Sequence, residues 1–519
     1  MVDIAAAAVA AAGKTNAGKV KSNWGAALAI AVVVAGCGDN YRPVVTPVNS
    51  SGPPAQVSAY ALVISSPSTT SAGIFTIIDY SGDSVLNETP IGPGPTAFTI
   101  DEIGATGYTV DSDGTLSNFA ITTSLQAKNV SFSTLPSTAE PVNLMAPSSG
   151  LWVTDLSGNV VDQFSGSPQA FKLAIPVATA GSPALTPVMI AGSPNLQGER
   201  EYVLSQNVAS TIACNSAPRT APLGVATPIE IASNTTDPAI PVGKCPVYAV
   251  ESTDQQRLFV LNRGDDTITV LNTRNNTLDA CTPFLNQNGQ LVHCHATLPL
   301  STSAVTATGV TPPNGTAGMS AIAGPVFAEY NQATQQLVVA NYDGGTISVI
   351  DCSLDEYGND GPTFGTTYTI AVGNTATPNP ASVTVLYDGT KAYTANQNDG
   401  AQNGTVTVVN LSTHTVEKTL TVVGHPRTIA STQNSEFSKI YVASPDSPFI
   451  TIVESSPSVT DLIDTTVLVE GDVVDLRVTT QNGNSGTDNY TSRVPGYGQP
   501  CNLPGAASIA SLAACQAHP

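Results

Sequence analysis

A short run of strand-forming residues, a small or polar stop, a turn of Asp, Asn and Gly, and then an alternation of Thr with Val or Ile recur along the chain. The pattern is clearest in QLVVANYDGGTISVID, from Gln336 to Asp351. Close relatives are RLFVLNRGDDTITVLN from Arg257 and KAYTANQNDGAQNGTVTVVN from Lys391, with a weaker copy, KIYVASPDSPFITIVE, from Lys439. Fainter copies begin at Arg200, Gly150, Thr106 and Ala61. Apolar runs of this length, bounded by turn formers, predict buried strands, and the alternating runs predict strands with one wet face. Thr405, Val406, Thr407 and Val408 are the example of the second kind. Taken alone, Asn341, Asp351 and the glycines between them suit a binding or metal site. Their recurrence assigns Asn341 and Asp351 to strand ends, and Gly344 and Gly345 to a hairpin turn.

The cores of the copies fall at Leu62, Tyr108, Trp152, Tyr202, Phe259, Val338, Tyr393 and Tyr441, spaced by 46, 44, 50, 57, 79, 55 and 48 residues. About four short strands per unit at this period predict an all-β protein, a β-propeller of four-stranded blades. Eight units give eight blades, and seven stay open if the first or second copy is degenerate. The spacing of 79 contains an insertion at about 281–318. Gly-Pro turns close the units, as in GPGPTAF at Gly92, VGNTATPNPASV from Val372 and VGHPRTIA around Gly424. Pro presets such a turn, and Gly takes backbone angles that other residues avoid.

These residues resemble the YVTN-type β-propeller repeat family, which includes YncE-like periplasmic proteins and surface-layer repeats. The Tyr-Val-Thr-Asn core of that family is similar to Tyr393-Thr394-Ala395-Asn396 and Val338-Val339-Ala340-Asn341, and its Val-Ser-Val-Ile-Asp to Ile347-Ser348-Val349-Ile350-Asp351. The likeness is strong from Arg257 to Gly483 and weak from Ala61 to Gln255. It implies a propeller fold and carries over no catalytic residue.

Composition adds location. Lys14, Lys19 and Lys21 precede the apolar stretch GAALAIAVVVAGC, which is short for a membrane span and has the pattern of a secretory signal peptide. Val34-Ala35-Gly36-Cys37 resembles the bacterial lipobox, in which the cysteine is acylated and the chain is cleaved just before it. The expected organisation is therefore a lipoprotein signal peptide at 1–36, a Pro/Ser-rich linker at 37–57, the propeller at 58–483 and a tail at 484–519. Gly38 follows the cysteine where an Asp would resemble an inner-membrane retention signal, so either bacterial membrane stays open as the site of an extracytoplasmic, lipid-anchored protein. The net charge of −21 argues against nucleic acid as a partner.

An exported chain forms disulfides, and spacing suggests Cys214–Cys245, Cys281–Cys294 and Cys501–Cys515, leaving Cys352 as a buried thiol. His293-Cys294-His295 is the one metal-like cluster, but a disulfide at Cys294 removes the thiolate that ligation needs. The oxygen-rich loops Asp111–Gly114 and Asp355–Gly361 lack the full calcium-loop pattern and read as turns. No haem attachment motif, nucleophile elbow or phosphate loop occurs, so neither metal nor cofactor is expected. His425 and Arg427, in VGHPRTIA, are the most enzyme-like pair. The expected function is a non-catalytic binding or scaffold module for a protein or envelope polymer, contacted by rim loops that include the Cys281–Cys294 insertion. The alternative is a lactonase-like hydrolase working in the central funnel.

Overall fold

The computed structural model describes residues 60–479, except 102–103, 124–128, 148–149, 178–185, 193–199, 209–213, 215–217, 287, 301–322, 434–436 and 457–458. Cys37, Cys501 and Cys515 lie outside the described residues.

Among the described residues, eight antiparallel sheets form blades, each a meander of four strands with the fourth split in two in blades 4 and 5, and a ninth sheet is a two-stranded hairpin. Their inner strands are Asp472–Val478 in blade 1, Pro95–Ile100 in blade 2, Pro141–Met145 in blade 3 and Pro187–Ala191 in blade 4. Blades 5 to 8 have Pro246–Glu251, Pro325–Asn331, Pro380–Val385 and Thr428–Ser431. Each inner strand lies beside the next, and the last lies beside the first, so the blades close into a ring around an axis. Closure is made by the two ends of the described residues: Asp472–Val478 pairs with Tyr60–Ser66, and so completes the blade that the first repeat begins. Eight blades, rather than seven, are present.

The repeat cores are the second strands, one position out from the axis. Leu62, Trp152, Tyr202, Phe259, Val338, Tyr393 and Tyr441 are fully buried there, packed between neighbouring blades. The inner strand comes one turn earlier and, in blades 2 to 7, begins at a proline. In six blades a register shift follows at once, after Pro95, Pro141, Pro187, Pro246, Pro325 and Pro380. A proline opening an edge strand leaves no ladder donor unmade, and the bulge beside it turns the following side chains.

One expectation is corrected. The Thr/Val strands are not half wet: Thr405, Thr407, Thr346 and Ser348 are buried, and the wet alternation belongs to a fourth strand such as Val85–Pro93. In blades 5, 6 and 7 the hydroxyl face is dry because the Asn that ends the second strand satisfies it. Asn341 Nδ2 donates to Thr346 Oγ1 (3.0 Å) and Ser348 Oγ (2.9 Å). Asn396 does the same to Thr405 and Thr407, and Asn262 to Thr267 and Thr269. The hydroxyl then accepts the turn glycine's N–H, from Gly373 to Thr407 and from Gly243 to Thr269. The Asn is thus a strut between second strand, third strand and turn. Asn341→Ala leaves two buried hydroxyls without that donor and is expected to cost about 1–3 kcal/mol. Denaturant unfolding checks this; an unchanged midpoint would remove the strut from the account.

The ring has two faces. Inner strands start on the upper face, beside the turns that join second to third strands. There Asp265, Asp399 and Asp446 accept backbone N–H groups of Lys244, Asn374 and His425 in the Gly-Pro turns. Second strands start, and third strands end, on the lower face. The described chain enters and leaves on that face, where Tyr60 N–H donates to Thr479 Oγ1 and Thr479 N–H to Tyr60 O, each at 3.0 Å.

Candidate functional site

The axis is where a propeller could gather chemistry, and the inner strands bring several charged side chains towards it. Most hold the ring itself. The inner edge of each inner strand has backbone N–H groups with no strand beside them, and side chains from the preceding blade cap them. Glu329 Oε1 accepts from Val385 N–H (3.1 Å), Asn143 Oδ1 from Ile190 N–H (3.0 Å) and Thr384 Oγ1 from Ser431 N–H (3.1 Å). Arg427 is buried; its Nη2 donates to Val474 O (3.2 Å), and its own carbonyl accepts from Ser382 Oγ (2.6 Å). Burial lowers the Arg427 guanidinium to about 10, partly offset by the negative charge of Asp475. Asp475 also lies 3.6 Å from Arg477, whose guanidinium sits over the Phe98 ring of the next blade.

His425 and Arg427 therefore do not form a joint site at the mouth of the funnel. His425 is buried in the upper turn with its Nδ1 against Asp446 Oδ2, while its backbone N–H donates to Asp446 Oδ1 (2.8 Å). The side-chain hydrogen bond to Asp446 raises the imidazole above its ordinary value, against burial. Burial pushes Asp446 the other way, but the hydrogen bonds from His425 hold it below the usual carboxylate range. A buried His–Asp pair over a turn that Asp399 and Asp265 also tie in other blades is an architectural pair. Asp446 lies 21 residues beyond His425, and only the repeat alignment relates the two.

The other candidates separate cleanly. Disulfides join Cys214 to Cys245 and Cys281 to Cys294, and Cys352 is a buried free thiol. Burial raises the Cys352 thiol well above its ordinary value. His295 is held by Asp360, which accepts from its backbone N–H (3.0 Å) and contacts its Nδ1 (2.8 Å). No group of three or more His, Cys, Asp or Glu among the described residues is placed to hold a metal ion. In the Asp355–Gly361 loop, Asp355 Oδ1 accepts from the N–H groups of Tyr357 and Asn359, as a turn requires.

Asp111 occupies the strut position that Asn fills in blades 5, 6 and 7. Its carboxylate accepts from Ser117 Oγ (2.6 Å), Thr109 Oγ1 (2.8 Å) and Thr115 Oγ1 (3.2 Å), so the polarity of the strut is reversed. Burial raises this carboxyl to about 7, against those hydrogen bonds. Its folded value exceeds the ordinary 3.8, so the folded ring binds the proton more tightly than the unfolded chain. The associated stability is fully present below about pH 4 and is lost as pH rises towards 7. Burial, with Asp155 nearby, raises Asp162 to about 6 and adds in the same direction. Asp111→Asn is expected to flatten the fall in melting temperature between pH 4 and 7; an unchanged slope would contradict this.

The feature that pattern reading did not isolate is on the lower rim. The fourth strand of blade 5 is split: Thr277–Leu278 pairs near Asn272, and Thr297–Pro299 resumes beside Thr267–Thr269. Between them the Cys281–Cys294 disulfide closes a small hairpin, Phe284–Leu285 against Leu291–Val292. Leu285 and Leu291 face each other across it and are 67% and 57% exposed. A signal was available: from Ala280 to Ala328 the sequence has no Asp, Glu, Lys or Arg, where the chain average of 11% gives about five.

No protein-family model matches the sequence, and no curated protein matches it. Solved structures share the fold. The dihydro-haem d1 dehydrogenase NirN, solved in complex with DHE, is 13% identical over 82% of this chain and 75% of its own, with a TM-score of 0.52. Apo AztD from Citrobacter koseri is 13% identical over 80% of this chain and 97% of its own, at 0.49. A Bacteroides fragilis protein provisionally described as a 6-phosphogluconolactonase is 13% identical over 82% of this chain and 99% of its own, at 0.47. Likeness at this identity shows the propeller fold alone.

Proposed function

We propose that the protein is an extracytoplasmic β-propeller, tethered to a bacterial membrane through acylated Cys37, that acts as a non-catalytic binding or scaffold ring for protein or cell-envelope partners. The observation that carries this reading is the use made of the polar groups near the axis. Glu329, Asn143, Thr384 and Ser382 bind backbone of the next blade, and His425 is buried against Asp446. A catalytic acid or base must reach substrate directly or through one water. Groups bound to the ring's own backbone serve its rigidity, and the variable rim loops are left to serve recognition. The disulfides accord with an oxidising compartment.

The test is recovery of envelope partners with the full chain from detergent-solubilised membranes, alongside turnover measurements on a panel of lactones. The reading expects a stoichiometric partner, retained by a His425→Gln variant, and no turnover. Lactone turnover that disappears in His425→Gln, with no partner recovered, would replace it with a funnel hydrolase.

A further inference from the structure

We propose that the blade 5 hairpin is a second membrane contact, in which the Leu285–Leu291 pair rests in the apolar layer of an uncharged lipid surface under the lower face. This rests on the tethered reading above and specifies how the ring sits on its anchor.

Three observations converge. The first is the hairpin itself. Leu285 and Leu291 are cross-strand partners, so their side chains leave the same side of the ribbon. A two-stranded ribbon is marginal alone, but this one is closed by Cys281–Cys294 and tied to blade 6. Asn286 Nδ2 donates to Asp355 Oδ2 (3.4 Å), Asn288 Nδ2 to Glu356 Oε1 (3.0 Å) and His295 N–H to Asp360 Oδ2 (3.0 Å). Two exposed leucines are thereby presented at a fixed place.

The second is charge. The hairpin lies in the 49-residue stretch without formal charge, so seating it in lipid desolvates no ionised group of its own. The carboxylates of Asp355 and Glu356 stand beside it, which favours zwitterionic over anionic headgroups.

The third is the position of the tether. Tyr60 opens on the lower face, the face from which the hairpin departs after Leu278. Twenty-two residues separate Cys37 from Tyr60, a length that spans roughly 25 Å as a random coil and about 70 Å as extended polyproline II. An anchor at Cys37 keeps the lower face near the bilayer, and at that effective concentration a contact of two leucines suffices to orient the ring.

The experiment adds one tryptophan at a time to the full-length, acylated protein on phosphatidylcholine vesicles, and the emission of the parent's buried Trp152 is subtracted. Leu285→Trp probes the hairpin. Leu223→Trp probes a site 54% exposed at the start of a third strand, on the upper face. On vesicles, emission from Leu285→Trp is expected to shift to the blue and to be quenched by brominated phosphatidylcholine about twofold or more beyond Leu223→Trp, unaltered by high salt. Protein that floats with vesicles while the Leu285→Trp indole stays unquenched overturns the hairpin contact and leaves the anchor standing. A blue shift without lipid quenching marks a protein contact and also overturns it. Failure to float overturns both readings. Quenching in protein that carries no acyl label upholds the hairpin and removes the anchor.

Discussion

Replacing Arg257 by methionine is expected to destabilise the ring by about 3–5 kcal/mol, because it leaves two buried carboxylates without their cation. Arg257 Nε donates to Asp279 Oδ2 (3.1 Å) in its own blade, and Nη2 to Asp360 Oδ1 (3.0 Å) and Gly358 O (3.2 Å) in the next. All three charged side chains are buried. Burial already raises Asp279 to about 6 with Arg257 in place, and Asp360 adds to the rise. Without the guanidinium the Asp279 carboxyl rises further, so the folded variant gains protons as pH falls. Its deficit against the wild type should narrow from pH 8 to pH 5. Asp360 also holds His295, so the hairpin should become protease-sensitive before the rest of the ring. Thermal melts of both proteins across this pH range check the prediction. A constant deficit, or none, would mean that Arg257 acts only as packing.

The second large effect is expected at the closure. Leu476 is fully buried in the C-terminal strand, opposite Val63 and among Ala61, Val63, Ile78 and Tyr441. Leu476→Asp places a carboxylate there with no cation, at a cost of about 4 kcal/mol or more. That strand has only one strand partner, so the penalty falls on the one sheet that joins the ends of the described chain. The expected result is an opened ring, cut by protease in the detached Asp472–Val478 strand before any other blade is attacked. Val85→Asp, at an exposed outer-strand position of the same blade, should stay within about 0.5 kcal/mol of wild type. Equal behaviour of the two variants would contradict closure by this strand.

Residues that act through neighbours in the chain were legible in the sequence; those that act between blades were not. Repeats with Tyr393 or Phe259 at their centres mark second strands because their apolar run is local. The pairs Cys214–Cys245 and Cys281–Cys294 are close in sequence and are joined in the structure. Thr405 and Thr407 misled because alternation reports which residues are polar, not which are wet; the Asn396 amide makes their face dry. The pairs that lock blades together reach far along the chain. Arg257 meets Asp360 across 103 residues, Lys391 meets Asp461 across 70 and Lys439 meets Asp83 across 356. No periodicity reports such contacts. His425 and Arg427 stood out as reactive types in a turn, yet the structure buries them apart. The Leu285–Leu291 pair was hidden inside an insertion, where the repeat gives no register to read.

Tethering through Cys37 underlies both the proposed function and the orientation of the ring, and one measurement reaches it most directly. Cells producing the full-length protein are fed a fatty-acid probe, and labelling and membrane fractionation are compared for wild type and Cys37→Ser. The account predicts a labelled wild type in the membrane fraction and an unlabelled Cys37→Ser. A Cys37→Ser protein labelled as strongly as wild type, or an unlabelled wild type recovered in the soluble fraction, would contradict it.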